Sequence, residues 1–357
     1  MIIPFIISLL ITTIITPVFI FVNKKIGLID DPKLHKHPGI IHTRPVPRGG
    51  GLPIFLGALI TGFFFLPHNS LTLSILIASA LTLMVGLIDD KLNAQGKDIS
   101  PYLRFLMQIV TAIIIVASGI SIKYITHPLG GILYFDTIKF IIPFLPFPLL
   151  LSDIVSVLWL VWIMNMLNWS KGVDGQMPGI VAISAIVIGF LSLRLNASMV
   201  GDALDAKLAF IVAGCALGFL IYNFYPAKIF PGFGATALYL LLGVASILSS
   251  AKLATAILVM GVPLVDFVFT IIRRIVNKQS PLKGDKKHLH HILLKLGLSQ
   301  RQVALFYWCI SAILGVISLT LESKSKIFAI IMLIVITGGG LFFLHAVTKN
   351  TNDTTTS

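Results

Sequence analysis

The chain has 357 residues, of which 56% are hydrophobic and only 11% are charged, and its mean hydropathy is +0.97. Soluble domains carry roughly 25% charged residues, so this composition excludes an ordinary soluble protein and predicts a polytopic membrane protein. The net charge of +13 does not require a nucleic acid partner, because anionic lipid head groups and phosphorylated substrates account for it.

About eleven apolar segments approach the ~20 residues that a helix needs to cross hydrocarbon. In chain order they are residues 2–22, 49–67, 72–88, 102–122, 150–167, 177–194, 206–222, 235–250, 253–274, 303–321 and 326–346. Residues 1–346 are therefore predicted to form a single all-α membrane domain, and residues 347–357 a disordered polar tail. Within residues 124–149, β-branched and aromatic residues broken by Gly and Pro predict a small β-hairpin on the outer face.

The distribution of Lys and Arg predicts the orientation. With the N-terminus outside, twenty of the 27 basic residues fall in the inner loops and the C-terminal tail, as the positive-inside rule requires. The inner loops are then residues 23–48, 89–104, 168–176, 223–234 and 273–302. We expect a multi-pass plasma-membrane protein whose polar loops face the cytoplasm.

The first inner loop combines basic residues, prolines and three glycines at its end. Gly49, Gly50 and Gly51 allow backbone N–H groups to approach an anion, and Arg48 offers a fork-shaped phosphate partner. Lys33 and His42 lie earlier in this loop and are further candidates for substrate binding. The alternative is a basic juxtamembrane loop that anchors the chain to lipid.

The second inner loop begins with the adjacent carboxylates Asp89 and Asp90, at the end of the third apolar segment. Two carboxylates at a membrane boundary are costly to desolvate unless they hold a cation or meet bases. This pair therefore indicates a functional site, although a hydrated helix terminus would also explain it.

The third inner loop places Asn165, Asn168, Lys171 and Asp174 close together between two apolar segments. A tight turn between helices would require the glycines at 172 and 175 but not this set of amides and charges. The loop is therefore interpreted as part of a polar site.

The fourth inner loop offers Asn223 and Lys228 as ligand contacts, with ordinary loop polarity as the alternative. Residues 232–237 match the G-x-G-x-x-A dinucleotide pattern, but no βαβ unit surrounds them, so the match is spurious.

The fifth inner loop carries His288, His290 and His291 beside two lysines. Their spacing is not that of a helical zinc pair. Clustered imidazoles and ammonium groups suit a phosphate or pyrophosphate; the alternative is a lipid-facing basic patch.

Together the motifs GLIDD, Asn-x-x-Asn followed by GVDG, YNxxPAKIF and DKKHLHHILLKLG form an ordered set from about residue 24 to 300. This set resembles the polyprenyl-phosphate N-acetylhexosamine-1-phosphate transferases of glycosyltransferase family 4, and PVPRGGG fits the family's first loop. The H-x-H-H form of the last motif is more similar to the branch that transfers GlcNAc-1-phosphate to undecaprenyl phosphate.

The resemblance implies that a polyprenyl phosphate attacks the β-phosphorus of a UDP-N-acetylhexosamine and that UMP leaves, with Mg²⁺ neutralising the departing diphosphate. It implies catalytic roles for Asp89, Asp90 and Asp174, and metal-binding roles for Asn168 and Asp174. It implies substrate contacts for residues in four of the loops, namely Lys33, His42, Arg48, Arg104, Asn223, Lys228, His288, His290 and His291. Arg104 stands where the family usually has Lys, and a homodimer is compatible with this reading.

Two positions depart from the family pattern. The first acid of its D-G-x-D-G motif is Lys171 here, and the acid of its G-D-x-G-S motif is Phe233. These replacements remove two negative charges and add a positive one at a site built to hold a dication. Lys171 is therefore counted among the catalytic candidates.

Three hypotheses are open, and the first two follow from these departures. The transfer reaction persists, either with a displaced Mg²⁺ held by the remaining acids or with Lys171 neutralising the diphosphate. Alternatively, the chain is a catalytically impaired relative that binds lipid phosphate or nucleotide-sugar. A transporter is the third class, which the position of the charges at segment ends disfavours.

Overall fold

The computed structural model is a bundle of α-helices with three small strand pairs. It describes residues 1–34, 41–127, 130–141, 143, 146, 148–195, 203–249, 253–280 and 287–354. The helices are α1 Ile2–Lys25, α2 Gly51–Phe65, α3 Ser70–Ala94, α4 Pro101–Ala117, α5 Leu151–Trp169, α6 Gln176–Leu195, α7 Leu204–Asn223, α8 Thr236–Leu248, α9 Leu253–Val259, α10 Gly261–Val276, α11 Leu289–Lys295, α12 Gln300–Thr320 and α13 Ser323–Thr354.

Each predicted apolar segment contains a helix or a helix pair, which confirms the all-α membrane class. By length and composition, the described residues include seven helices that could span a membrane, or eight if one bent pair counts as a span. Three predicted spans are shorter, because α2, α4 and α8 have 15, 17 and 13 residues. At 1.5 Å per residue, such helices are about 20–25 Å long, less than the ~30 Å of hydrocarbon. Eleven crossings therefore remain a prediction.

The segment predicted as one span over residues 253–274 is two helices, α9 and α10, which meet at 83°. Asp266 lies on α10 and is buried. The break moves this carboxylate to the end of the bundle that carries the polar loops, where it contacts His288.

Helices α7 and α8 form the centre of the bundle. α7 packs against α1, α2 and α6, and α8 packs against α3, α5 and α7. Every residue of α8 except Leu248 is buried, and Tyr239 on this helix is among the largest fully buried side chains. A helix that is apolar on all sides is expected at such a position.

The strands lie in two regions. Antiparallel strands β3 (Tyr124–Thr126) and β4 (Ile132–Tyr134) confirm the predicted hairpin, and β5 (Lys139–Phe140) pairs with β6 (Leu149–Leu150) beside it. Strands β1 (Ile29–Asp30) and β2 (Val46–Pro47) form an additional antiparallel pair that closes the first inner loop.

The last helix, α13, is assigned as far as Thr354. The disordered polar tail over residues 347–357 stays a prediction.

Close backbone approach joins α3 to the turn at residues 231–234. A Cβ atom on Gly86 would lie 2.4 Å from the Cα of Gly234. Such a contact is too short for real Cβ atoms, so α3 meets this turn only because position 86 has no side chain.

We predict that Gly86→Ala lowers the thermal-unfolding midpoint by several degrees, since overpacking costs roughly 1–3 kcal/mol. Gly339→Ala is the matched control, because a Cβ on this glycine of α13 would meet nothing within 4 Å. Alanine has the higher helix propensity, so the control should melt at or slightly above the wild-type temperature. Equal midpoints for the two variants would contradict the packing argument; tryptophan fluorescence in detergent measures both.

Candidate active site

One cavity of about 570 Å³ opens at the end of the bundle where the five predicted inner loops meet. All five loops contribute to its lining, although they are far apart in sequence. The predicted site residues that line it are His42, Arg48, Asp89, Arg104, Asn168, Lys171, Asp174, Asn223, His288, His290 and His291. Lys33 and Lys228 were also expected to bind substrate, but both are exposed to solvent and are not part of this lining.

The two adjacent acids of α3 are paired with different arginines. Arg104 Nε, from the start of α4, donates to Asp89 Oδ1 at 2.8 Å. Arg48 Nε donates to Asp90 Oδ1 at 2.9 Å, and Arg48 Nη1 donates to Asp30 Oδ2 at 2.6 Å. Asp89 and Asp90 are almost completely buried, and these charge-assisted bonds partly offset their desolvation.

Asp90 lies behind the cavity wall and fixes the turn of the fourth loop. Its carboxylate accepts the backbone N–H of Phe233 at 2.8 Å and that of Gly234 at 3.3 Å. Gly232 has φ +66°, and a Cβ there would lie 2.1 Å from Asp90 Oδ2. Glycine is therefore required for the turn to reach the carboxylate.

Lys171 extends from the turn after α5 towards the same loop. Its ammonium donates to the Gly232 carbonyl at 3.0 Å, and its Nζ lies 5.9 Å from the centre of the Phe233 ring. The pKa of Lys171 is lowered to about 7, chiefly by burial. The nearby Arg48 and Arg104 contribute to this lowering, and Asp90 and Asp89 oppose it. An ammonium in such surroundings is costly, because burying a cation carries a penalty of several kcal/mol.

The third and fourth loops are joined by an amide and a carboxylate. Asn223 accepts from the Gly175 N–H at 3.1 Å and donates to the Ile229 carbonyl at 2.9 Å. Asp174 Oδ2 accepts the Ala227 N–H at 2.9 Å, and burial raises the pKa of Asp174. Asn223 was expected to contact substrate; although it lines the cavity, its amide bonds the backbone and so shapes the wall.

Asn168 differs from Asn223 in having an unused acceptor. Its Oδ1 is buried and has no hydrogen-bond partner within the described residues. Buried polar atoms are rarely left unpaired without a reason, so this oxygen is available to a ligand in the cavity.

The histidines of the fifth loop form a stacked group. The rings of His288 and His290 are 5.5 Å apart and nearly parallel, and His291 lies 4.3 Å from His290. Burial lowers the pKa of His290 well below its usual value, and the neighbouring histidines lower it further. His290 is therefore a neutral imidazole and does not offer a positive charge to a phosphate.

Asp266 anchors this group and was missed in the sequence. Its Oδ2 contacts His288 Nδ1 at 2.9 Å, and its Oδ1 accepts the Leu289 N–H at 2.9 Å. The signal was present, because an ionisable residue within an apolar segment indicates a functional site.

The cavity also includes residues whose signals were weaker. Arg274 Cζ lies 4.9 Å from the ring of Trp169, and both residues line the cavity. Asp30 is a third missed residue, and the pairing of β1 with β2 places it beside Arg48. These contacts depend on the tertiary fold and could not be inferred from spacing.

These residues do not fit a Mg²⁺ site. Mg²⁺ requires near-octahedral oxygen ligands, but Asp90 is held by Arg48 and two backbone N–H groups, and Asp89 is held by Arg104. Within the described part of the chain, no three His, Cys, Asp or Glu side chains form a group that could hold a metal ion. Of the two predicted ligands, Asp174 accepts the Ala227 N–H through Oδ2, and the free oxygen of Asn168 is neutral. One carboxylate and one amide are not sufficient for such a site.

The chain is similar in sequence to known proteins over most of its length. The model of glycosyl transferase family 4 matches residues 72–250. A probable undecaprenyl-phosphate N-acetylglucosaminyl 1-phosphate transferase of Bacillus subtilis is 34% identical, with 94% of this chain and 89% of that protein covered. A decaprenyl-phosphate N-acetylglucosaminephosphotransferase of Mycobacterium leprae is 31% identical, with 75% of this chain and 71% of that protein covered.

An undecaprenyl-phosphate alpha-N-acetylglucosaminyl 1-phosphate transferase of Escherichia coli is 28% identical, and the match covers 86% of this chain and 81% of that protein. The three matches cover 75% to 94% of this chain. The chain therefore belongs to glycosyl transferase family 4.

Proposed function

We propose that this protein transfers an N-acetylhexosamine-1-phosphate from a UDP-sugar to a polyprenyl phosphate at the cytoplasmic face of the membrane. The main support is the convergence of five loops on one cavity that carries cations, amides and imidazoles at the end of an apolar bundle. The relatives are named as transferases that act on undecaprenyl or decaprenyl phosphate, which supports the same reaction.

The nucleotide-sugar fits the side of the cavity formed by the third and fifth loops. Lys171 and Arg274 provide positive charge there, and neutral His290 can donate to or accept from a phosphate or sugar hydroxyl. The unpaired oxygen of Asn168 accepts a hydrogen bond and so favours a hydroxyl or amide of the donor.

The lipid phosphate fits the side formed by α3 and α4. Asp89 binds Nε and Nη2 of Arg104, and Asp98 also accepts from Nη2. Arg104 lines the cavity, and within the part of the chain that the structure describes its Nη1 is the nitrogen that remains for a phosphate. Pro101 also lines the cavity, and the next two residues, Tyr102 and Leu103, are 74% and 48% exposed. An isoprenoid chain could therefore remain on an apolar surface while its phosphate enters the site.

In the proposed reaction, an oxygen of the lipid phosphate forms a bond to the β-phosphorus of the UDP-sugar. The bond between this phosphorus and the bridging oxygen breaks, and its electron pair leaves with UMP. Atoms and charge balance without an oxidant or a further reactant. The protein orients the two phosphates in line and excludes water, which are the main sources of rate enhancement in phosphoryl transfer.

A second candidate is binding of the nucleotide-sugar or lipid phosphate without turnover. The observation that favours it is the replacement of two acids by Lys171 and Phe233, which leaves no fitting metal site among the residues that the structure describes.

We predict that the purified protein releases UMP when UDP-GlcNAc and undecaprenyl phosphate are both present. Asp89→Asn should lower kcat on the order of 10²-fold, because Arg104 is no longer held in place for the lipid phosphate. Asp153→Asn is the matched control, since Asp153 lies in the first turn of α5, at the opposite end of that helix from the cavity. UMP release and the lipid product are measured together. Absence of both under all conditions, with UDP-GlcNAc still bound, would establish the second candidate.

A further prediction concerns Asp266, which positions His288. Asp266→Leu leaves the buried Leu289 N–H without its acceptor, at a cost of about 1–3 kcal/mol, and should lower the unfolding midpoint and raise KM for the UDP-sugar. Asp266→Asn retains a carbonyl oxygen for that N–H and should restore most of the stability. If Asp266→Leu changed neither the midpoint nor KM, the positioning role would be wrong.

A further inference from the structure

The two residues that depart from the family pattern contact each other in space. Lys171 Nζ and Arg104 Cζ lie 5.9 Å and 5.3 Å from the centre of the Phe233 ring. Cations are attracted to the face of an aromatic ring. The phenyl ring thus accepts two cations at a position where a carboxylate would have neutralised them.

The ammonium of Lys171 has unused donors. Its sole hydrogen bond within the described residues is to the Gly232 carbonyl, and an ammonium has three N–H groups. Two donors therefore remain at the cavity wall. They are suited to the oxygens of a diphosphate, which Lys binds as a point charge.

A purely structural role does not account for this lysine. The turn that carries the Gly232 carbonyl is already held by Asp90, which binds the N–H groups of Phe233 and Gly234. The nearby acids Asp89 and Asp90 are bonded to Arg104 and Arg48. A neutral side chain could fill the same space without the desolvation of a charge.

We infer that the ammonium of Lys171 neutralises the diphosphate of the donor, so that transfer to the lipid phosphate requires no divalent cation. This inference rests on the proposed function and states how the same site neutralises the negative charge of the diphosphate. As the β-phosphorus bond to the bridging oxygen breaks, the negative charge that develops on UMP lies beside Lys171. The ammonium keeps its proton throughout and acts only by electrostatic stabilisation.

The first experiment compares UMP release by the wild-type protein in excess EDTA and in excess MgCl₂. We expect the two rates to agree within about twofold, a difference below ~0.5 kcal/mol in barrier height. Release only with MgCl₂ would overturn the inference but leave the proposed function intact. No release in either condition would overturn the proposed function and the inference with it.

The second experiment measures UDP-GlcNAc binding by calorimetry in EDTA, which does not depend on turnover. Lys171→Gln should weaken binding at least tenfold, whereas Lys139→Gln should bind as the wild type, because Lys139 is exposed on β5, away from the cavity. Equal affinity of Lys171→Gln and the wild type would overturn the inference.

The unfolding midpoint shows whether Lys171→Gln folds. Below pH 7 the wild-type Lys171 is protonated in both the folded and the unfolded state. The folded state then carries the full cost of burying this charge beside Arg48 and Arg104. Asp90 and Asp89 offset only part of that cost. This cost disappears as the pH rises from about 7 towards the unfolded pKa near 10.5. Lys171→Gln should therefore melt above the wild type at pH 6, with a smaller difference at pH 10.

The third experiment restores both acids. The double variant Lys171→Asp/Phe233→Asp should gain a Mg²⁺-dependent rise in unfolding midpoint, as expected when a ligand binds only the folded state. The wild type should show no such rise. A rise of equal size in the wild type would demonstrate a resident Mg²⁺ site and overturn the inference.

Discussion

The rest of the site depends on the buried carboxylate of Asp90. It accepts one hydrogen bond from Arg48 of the first loop and two from the backbone of Phe233 and Gly234 in the fourth loop. One charge therefore joins α3 to two loops that are distant in sequence. Because removing one partner of a buried ion pair typically costs about 3–5 kcal/mol, the turn that presents the Gly232 carbonyl to Lys171 is held firmly. The cavity wall is thus fixed before any substrate enters.

Much of this arrangement could be predicted from the sequence. The apolar segments predicted the helical bundle. The distribution of Lys and Arg and the odd number of predicted spans indicated which polar loops share one end of it, because neither depends on how the helices pack. The 83° bend at α9–α10 was not predicted, because the apolar run continues through it. The pairing of Asp89 with Arg104 was also beyond the sequence, which showed only two adjacent acids in need of a cation. That cation is a side chain.

The departures at Lys171 and Phe233 are consistent with each other in physical terms. If only Lys171 were present, its ammonium would pair with the acid at position 233, and that acid would neutralise its charge. A phenylalanine alone would have left a hydrophobic face in a polar cavity. Together they give an ammonium that is attracted to the ring face and keeps donors for a ligand. The two substitutions therefore form one unit, and their energetic effects should not be additive.

The position of the site at the membrane boundary determines how strongly a single ammonium can act. One side of the cavity borders the apolar start of α4, and the Arg–Asp pairs cancel most of the fixed charge around it. In such a low-dielectric setting the interaction of Lys171 with a diphosphate is much stronger than in water. A tethered cation cannot be removed by chelation, but with a pKa of about 7 it can lose its proton. A diphosphate bound beside the ammonium would raise this pKa, since phosphate oxygens favour its protonated form.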